Sequence, residues 1–198
     1  MLKTIQRCCL AATMVLLTIQ SVHAEPYQHP DTGIEFPDRL GGLRKGPGAA
    51  DYEAQNPGLG VSVRYEGPWE KADVYLYTLG LSTVPSNLQD PVLKDHFQET
   101  IREVAHFAEN GLYEDFNIIS TGEAAWQPGS TIPVSLHASF AFSQEGIELL
   151  SHLYLRGFQN HFLKVRFTYL KEANVFAGAS LHTFLAELGK ILDNLEDD

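Results

Sequence analysis

Hydrophobic and polar residues alternate most regularly between Val134 and Tyr169. Val134, Leu136, Ala138, Phe140 and Phe142 are interleaved with Ser135, His137, Ser139, Ala141 and Ser143, the period of two that a half-buried strand shows. Glu145-Gly146 predicts a hairpin turn, Ile147 to Arg156 a returning strand, and Gly157 to His161 a second reversal. Beyond it Leu163, Val165, Phe167 and Tyr169 alternate with Lys164, Arg166 and Thr168. Together these segments predict a three-stranded antiparallel meander with one apolar face.

Helical periodicity flanks the meander. Asp90-Pro91 supplies an N-cap and a proline at the first helical position, Asn110-Gly111 a stop, and Leu93, Phe97, Ile101, Val104, Ala105 and Ala108 a buried stripe. A second amphipathic helix is expected from Ala173 to Leu195, with Ala177, Leu181, Phe184, Leu185, Leu188, Leu192 and Leu195 facing inward. Nearer the N-terminus, Pro30-Asp31-Thr32-Gly33 is a turn signal before a short edge strand Ile34 to Phe36, and residues 41–58 read as a long surface loop containing Tyr52. Val61 to Tyr65 alternates as a strand, and Ala72 to Tyr77, apolar on both sides from Val74, reads as a central strand covered twice. Tyr113 to Ser120 is a further strand, followed by a loop over 122–133 that contains Trp126. All 10 prolines lie between Pro26 and Pro133, so the longest regular elements belong to the C-terminal part.

This order of elements predicts an α+β fold, a mostly antiparallel sheet with amphipathic helices packed on it as a layered sandwich and a C-terminal helix. Segments such as Pro57-Gly58-Leu59-Gly60-Val61-Ser62-Val63-Arg64-Tyr65 and Ala72-Asp73-Val74-Tyr75-Leu76-Tyr77 supply its turns and packing. The order resembles the layered fold shared by the Mog1, PsbP and DcrB families, many of whose members are small exported or lumenal proteins. The resemblance spans most of residues 26–195 and lies in element order alone, without a diagnostic motif. It carries over no site residue and implies binding or assembly rather than catalysis.

The first 24 residues change the picture of where the chain acts. Lys3 and Arg7 precede an apolar run from Cys8 to Ile19, and Val22-His23-Ala24 has small residues where a signal peptidase needs them. The apolar run is about 12 residues, against roughly 20 for a bilayer-crossing helix. A cleaved secretory signal over residues 1–24 and one globular domain over 25–198 are therefore expected, the protein being exported with the periplasm as its expected destination. No later stretch reads as a transmembrane anchor. Cys8 and Cys9, the two cysteines, both lie in the expected signal, which leaves no disulfide, thiolate metal site or cysteine nucleophile in the processed chain. Lys3 and Arg7 are two of 14 basic residues while all 25 acidic ones lie further on, so processing moves the formal charge from −11 to −13. That sign disfavours nucleic acid and anionic lipid surfaces.

Two constellations carry chemistry. In the first helix His96, Glu99, Glu103 and His106 recur at steps of three and four along one side, and imidazoles with carboxylates can share a metal. No matching motif occurs on another helix, and the row lies opposite the apolar stripe among Asp95, Arg102 and Glu109, as a solvated face does. On the meander, a two-residue turn at Glu145-Gly146 sets His137 opposite Tyr154 and Ser139 opposite His152; an even register in the next hairpin adds Arg156, Lys164 and Arg166 to the same face. Such a cationic cluster suits a carboxylate, a phosphate or an acidic partner segment. The competing account pairs Lys164 and Arg166 with Glu148 and other acids for solubility. Trp69, Trp126, Tyr27 and Tyr52 fall in loops and offer aromatic contact surface.

The chain has no G-x-S-x-G, H-E-x-x-H, phosphate-binding glycine loop or dinucleotide fingerprint. No cofactor is implied. The sequence therefore points to a non-enzymatic, soluble envelope protein that binds a small ligand or another envelope protein, the alternative being a metal-assisted or acid/base hydrolase using its histidines and carboxylates.

Overall fold

The structure, a computed structural model, describes residues 26–130, 132 and 134–196. The signal segment expected over 1–24 lies outside the described residues. Eleven strands and two long helices follow in the order β1 (Tyr27–Gln28), β2 (Glu35–Phe36), β3 (Arg39–Leu40), β4 (Leu43–Lys45), β5 (Ala50–Asp51), β6 (Val61–Glu66), β7 (Glu70–Tyr77), α1 (Pro91–Glu109), β8 (Glu114–Ala124), β9 (Ser135–Gln144), β10 (Ile147–Phe158), β11 (His161–Leu170) and α2 (Asn174–Glu196). A 3-10 turn, Lys171–Ala173, leads into α2. One antiparallel sheet runs β3-β4-β6-β7-β11-β10-β9-β8, with β5 paired to β6; β1 and β2 form a separate two-stranded sheet. The α+β layered architecture is thus observed.

Both turns of the meander contain two residues with positive φ, Glu145 (54°) with Gly146 (77°) and Gln159 (43°) with Asn160 (62°). Hairpins favour such turns because their twist matches that of the flanking strands. The first gives the expected pairs His137↔Tyr154 and Ser139↔His152. The second pairs Phe158 with His161, and hence Arg156 with Leu163, Leu155 with Lys164 and Leu153 with Arg166. Directly opposed residues share a face. The apolar residues of β9 therefore face one side of the sheet and those of β11 the other.

This corrects the expectation of one apolar face: the meander buries both. On one side Leu136, Ala138, Phe140, Phe142, Leu153, Leu155 and Phe162 pack beneath Leu93, Phe97, Ile101 and Val104 of α1. On the other, Val63, Val74, Val165 and Phe167 meet Leu181, Phe184, Leu185, Leu188 and Leu192 of α2. The central strand β7 is covered on both sides, as its composition requires.

α1 starts as expected, with the Asp90 carboxylate accepting from the Val92 N–H at 2.8 Å and Pro91 at the first helical position. It carries the chain from β7 in the middle of the sheet to β8 at its edge. The approach to α1 crosses β10 where Gly157 allows it; a Cβ there would lie 1.9 Å from the Pro85 carbonyl oxygen.

Counted from Lys171 to Glu196, α2 is long and apolar enough to cross a membrane, contrary to the expectation that no such stretch follows the signal. Its apolar stripe is nevertheless buried against the sheet. Phe184 at its centre is wholly buried, edge-on to Tyr65 at 5.5 Å and Phe167 at 5.8 Å. The Glu187 carboxylate accepts from the Gly41 N–H at 2.6 Å, fastening the helix to the β3–β4 turn.

Other departures are local. Residues 41–58 contain β4 and β5 rather than a continuous loop, and Ile34 to Phe36 contributes β2, an edge strand as expected, to the small sheet. β8 continues to Ala124. Trp126 is buried, its indole N–H donating to Ser135 Oγ at 2.9 Å, whereas Trp69 and Tyr52 stay exposed. The small sheet packs on the end of α2: Ile34 and Phe36 join its core, and Gly33 and Pro37 share a surface depression with Ile191 and Leu195.

Phenylalanines on α2 test this packing. Phe184→Ala is expected to cost about 3–5 kcal/mol in urea unfolding. Phe176→Ala, at a side chain 74% exposed, is expected to cost less than about 0.5 kcal/mol.

Candidate functional site

The six meander residues proposed as a ligand set divide between the two faces. His137, His152, Tyr154 and Arg156 point towards α2, while Lys164 and Arg166 point towards α1. The three cations do not gather, because the Gln159-Asn160 turn sets an odd register where an even one is needed.

On the α2 side the ring systems stack. His137 lies 4.7 Å from Tyr154 and 5.4 Å from His152, and His152 lies 5.7 Å from Tyr169. A hydrogen-bonded chain links His137 Nε2 to His152 Nδ1 (3.1 Å), His152 Nε2 to Tyr169 Oη (3.2 Å), and Tyr169 Oη–H to Asn174 Oδ1 (3.0 Å). Burial holds both imidazoles below the ordinary histidine range; His152, also beside His137 and His182, is pushed down to about 4. Arg156 sits over Trp126 and Phe158, with centroids 5.9 and 5.8 Å away, and is paired with Glu196 at 3.1 Å. Burial lowers its pKa against the opposing pull of Glu196 and Asp193. The stacked rings and occupied guanidinium serve packing here.

The α1 side differs. Between helix and sheet lies a cavity of about 390 Å³ whose lining includes Arg64, Lys71, Lys164 and Arg166, with Asp73 and Glu103 as its acids. Pairing across three strands aligns Arg64, Asp73 and Arg166, with Tyr75 beside Lys164 and Lys71 beside Thr168. Arg64 Nε donates to Asp73 at 2.7 Å, and Arg166 Nε donates to Ser151 Oγ at 2.8 Å. Lys164 is different: its ammonium lies 4.7 and 5.3 Å from the ring centres of Tyr75 and Tyr77 and makes no hydrogen bond among the described residues. Burial lowers its pKa, Glu103 opposes the shift and Arg166 adds to it. Burial, then Asp73, raises the Tyr75 phenol to about 12. Sequence reasoning missed Arg64, Lys71, Tyr75 and Thr100, which come from β6, β7 and α1; polar residues interrupting apolar β6 and β7 were the available signal.

The proposed metal row of α1 is not gathered at one point. His96 turns inward against Phe162, with ring centres 4.3 Å apart, and bonds the Tyr77 hydroxyl at 2.6 Å. This corrects its placement on the solvated face; the buried arc of α1 is wide enough to take in Thr100 and part of His96. Burial first, and Lys164 second, push His96 down to about 4 against Glu99. Glu99 pairs with Arg102, His106 pairs with Glu109 at 3.2 Å, and Glu103 reaches the rim of the cavity.

The two depressed imidazoles give a signed pH dependence. An unfolded histidine titrates near 6.5, so between about pH 6.5 and 4 the unfolded chain binds more protons than the folded one. Their contribution is complete above the unfolded value and is lost as pH falls through the folded one. After discounting for partial solvation, each is expected to contribute on the order of 1–2 kcal/mol. Urea unfolding at pH 7.5 and 4.5 checks this: His96→Gln and His152→Gln should each flatten the acid-side slope relative to wild type.

No protein-family model matches the chain, and no curated protein matches it in sequence. Among solved structures, it is similar to the PsbP protein (CyanoP) of Synechocystis sp. PCC 6803, at 11% identity and TM-score 0.47, covering 90% of this chain and 96% of that one. It is also similar to PA94 of Pseudomonas aeruginosa, a protein of unknown function described as a putative regulator, at 12% identity and TM-score 0.38, covering 83% and 94%. The Ran-binding protein Mog1p of Saccharomyces cerevisiae gives 12% identity and TM-score 0.38 over 88% and 94%. These matches repeat the resemblance in element order and assign no role to any residue.

Proposed function

We propose that the protein is an exported, non-enzymatic binding module whose cavity between α1 and the sheet takes a small ligand through a carboxylate or phosphate group. The observation that carries this reading is Lys164, a half-buried ammonium at the cavity wall with aromatic neighbours and no hydrogen-bond acceptor among the described residues. A buried charge without such a partner is costly, and an anion would supply one. Arg166 flanks it, and the cavity lining carries more cations than acids within a strongly acidic chain. Binding rather than turnover is favoured because the neighbouring reactive groups are engaged: Asp73 by Arg64 and His96 by Tyr77. Export rests on the pattern of residues 1–24.

Titration calorimetry with inorganic phosphate and with succinate tests the site. Wild-type protein is expected to bind at least one of them; Lys164→Met should weaken binding by about ten- to hundredfold, the value of a charge-assisted hydrogen bond. Arg156→Met, on the other face, should leave it unchanged. Binding insensitive to Lys164→Met would sink the proposal. Turnover of an ester or phosphoester lost in Glu103→Gln would favour the hydrolase reading instead.

A further inference from the structure

A second cluster lies away from the anion cavity, where the β1–β2 connection meets the β10–β11 turn. His29, Asp31 and His161 converge there from segments far apart in sequence, and one ligand atom from each lies within 4.8 Å of the others. None of them lines the cavity beneath α1. We propose that these three side chains form a binding site for a borderline divalent transition-metal ion of the zinc class. The site is independent of the function proposed above.

The local hydrogen bonds already orient both imidazoles. His161 Nδ1 lies 2.9 Å from the Gln159 carbonyl oxygen, to which it donates, so its Nε2 carries the lone pair. That Nε2 lies 3.9 Å from Asp31 Oδ2, too long for a hydrogen bond. His29 Nδ1 accepts from the Thr32 backbone N–H at 3.3 Å and lies 3.1 Å from Thr32 Oγ1, so its Nε2, without a partner among the described residues, carries the proton; an ion binding at Nε2 shifts that proton to Nδ1, which then donates to Thr32 Oγ1. Metal-binding histidines characteristically engage their second ring nitrogen with a fixed oxygen in this way.

The rings stand edge to face at 83° with centres 5.2 Å apart, so they do not block one another by stacking. His29 is only 4% exposed, whereas the Asp31 side chain is 74% exposed and sits in a turn. Zinc bonds of about 2.0–2.2 Å need the ligand atoms closer together than they now stand. The mobile partner for that contraction is the exposed carboxylate, and its solvent side leaves a fourth position to water. Two nitrogens and one oxygen select zinc, copper or nickel over calcium and magnesium, which take oxygen donors. A bound ion would clip the small β1–β2 sheet to the β10–β11 turn.

The test uses metal-stripped full-length processed protein titrated with zinc chloride, followed by calorimetry and thermal unfolding. Wild type is expected to take up one ion per chain in the micromolar range and to unfold at higher temperature when loaded. Asp31→Asn, at an exposed position that spares the core, and His161→Gln, whose side chain is 13% exposed, should each weaken uptake by at least roughly tenfold and abolish the thermal gain. His106→Gln, which removes an exposed histidine of α1, should change neither. No uptake by wild type, uptake lost in His106→Gln, or uptake unchanged in either Asp31→Asn or His161→Gln overturns the three-ligand site.

Discussion

Two turns of two residues each decide which side of the sheet every side chain from β9 to β11 occupies. A strand has a strict period of two, so moving a turn by one residue exchanges its whole inner and outer sets. Glu145-Gly146 and Gln159-Asn160 both take left-handed backbone conformations, and each leaves an even-numbered residue opposite an odd-numbered one. The apolar set of β9 therefore goes to α1 and that of β11 to α2. The sheet needs a helix on each face, and the described residues supply two long ones.

The same parity distributes the polar residues. Arg156, sent to the α2 side, is absorbed between Trp126, Phe158 and Glu196. Lys164 and Arg166, sent to the α1 side, arrive beneath a helix whose Val104 and Phe107 help to roof a cavity. An ammonium held by aromatic faces keeps some electrostatic compensation without giving up its donors. That combination makes the α1 face suited to recognition and the α2 face to packing, although both carry histidine and tyrosine.

Much of the fold was legible because its signals are local. Asp90-Pro91 marks the start of α1 in two adjacent residues, and Leu181, Phe184, Leu185, Leu188 and Leu192 spell out the buried stripe of α2. The first hairpin was equally readable from Glu145-Gly146. The second was not: Gly157 suggests a reversal beginning earlier, but it serves instead to admit the Pro85 carbonyl against β10. Getting that register wrong merges Arg156 with Lys164 and Arg166, which is why the proposed ligand set was half legible. The other lining residues, and the meeting of His29 with His161, depend on contacts between distant segments that periodicity does not encode.

The small N-terminal sheet rests on the last turns of α2. Ile34 and Phe36 share a core with Leu188 and Leu192, and Gln159 reaches the Leu195 carbonyl. The earliest described strands thus pair with each other locally but find their core contacts only after the final helix has been made. Contacts of such long sequence separation carry a loop-closure cost before they give any stabilisation, and they slow folding. A chain emerging from the ribosome cannot complete this core early. If the chain crosses a membrane before it folds, as proposed, such late closure would favour a nascent chain that is still open when it is translocated.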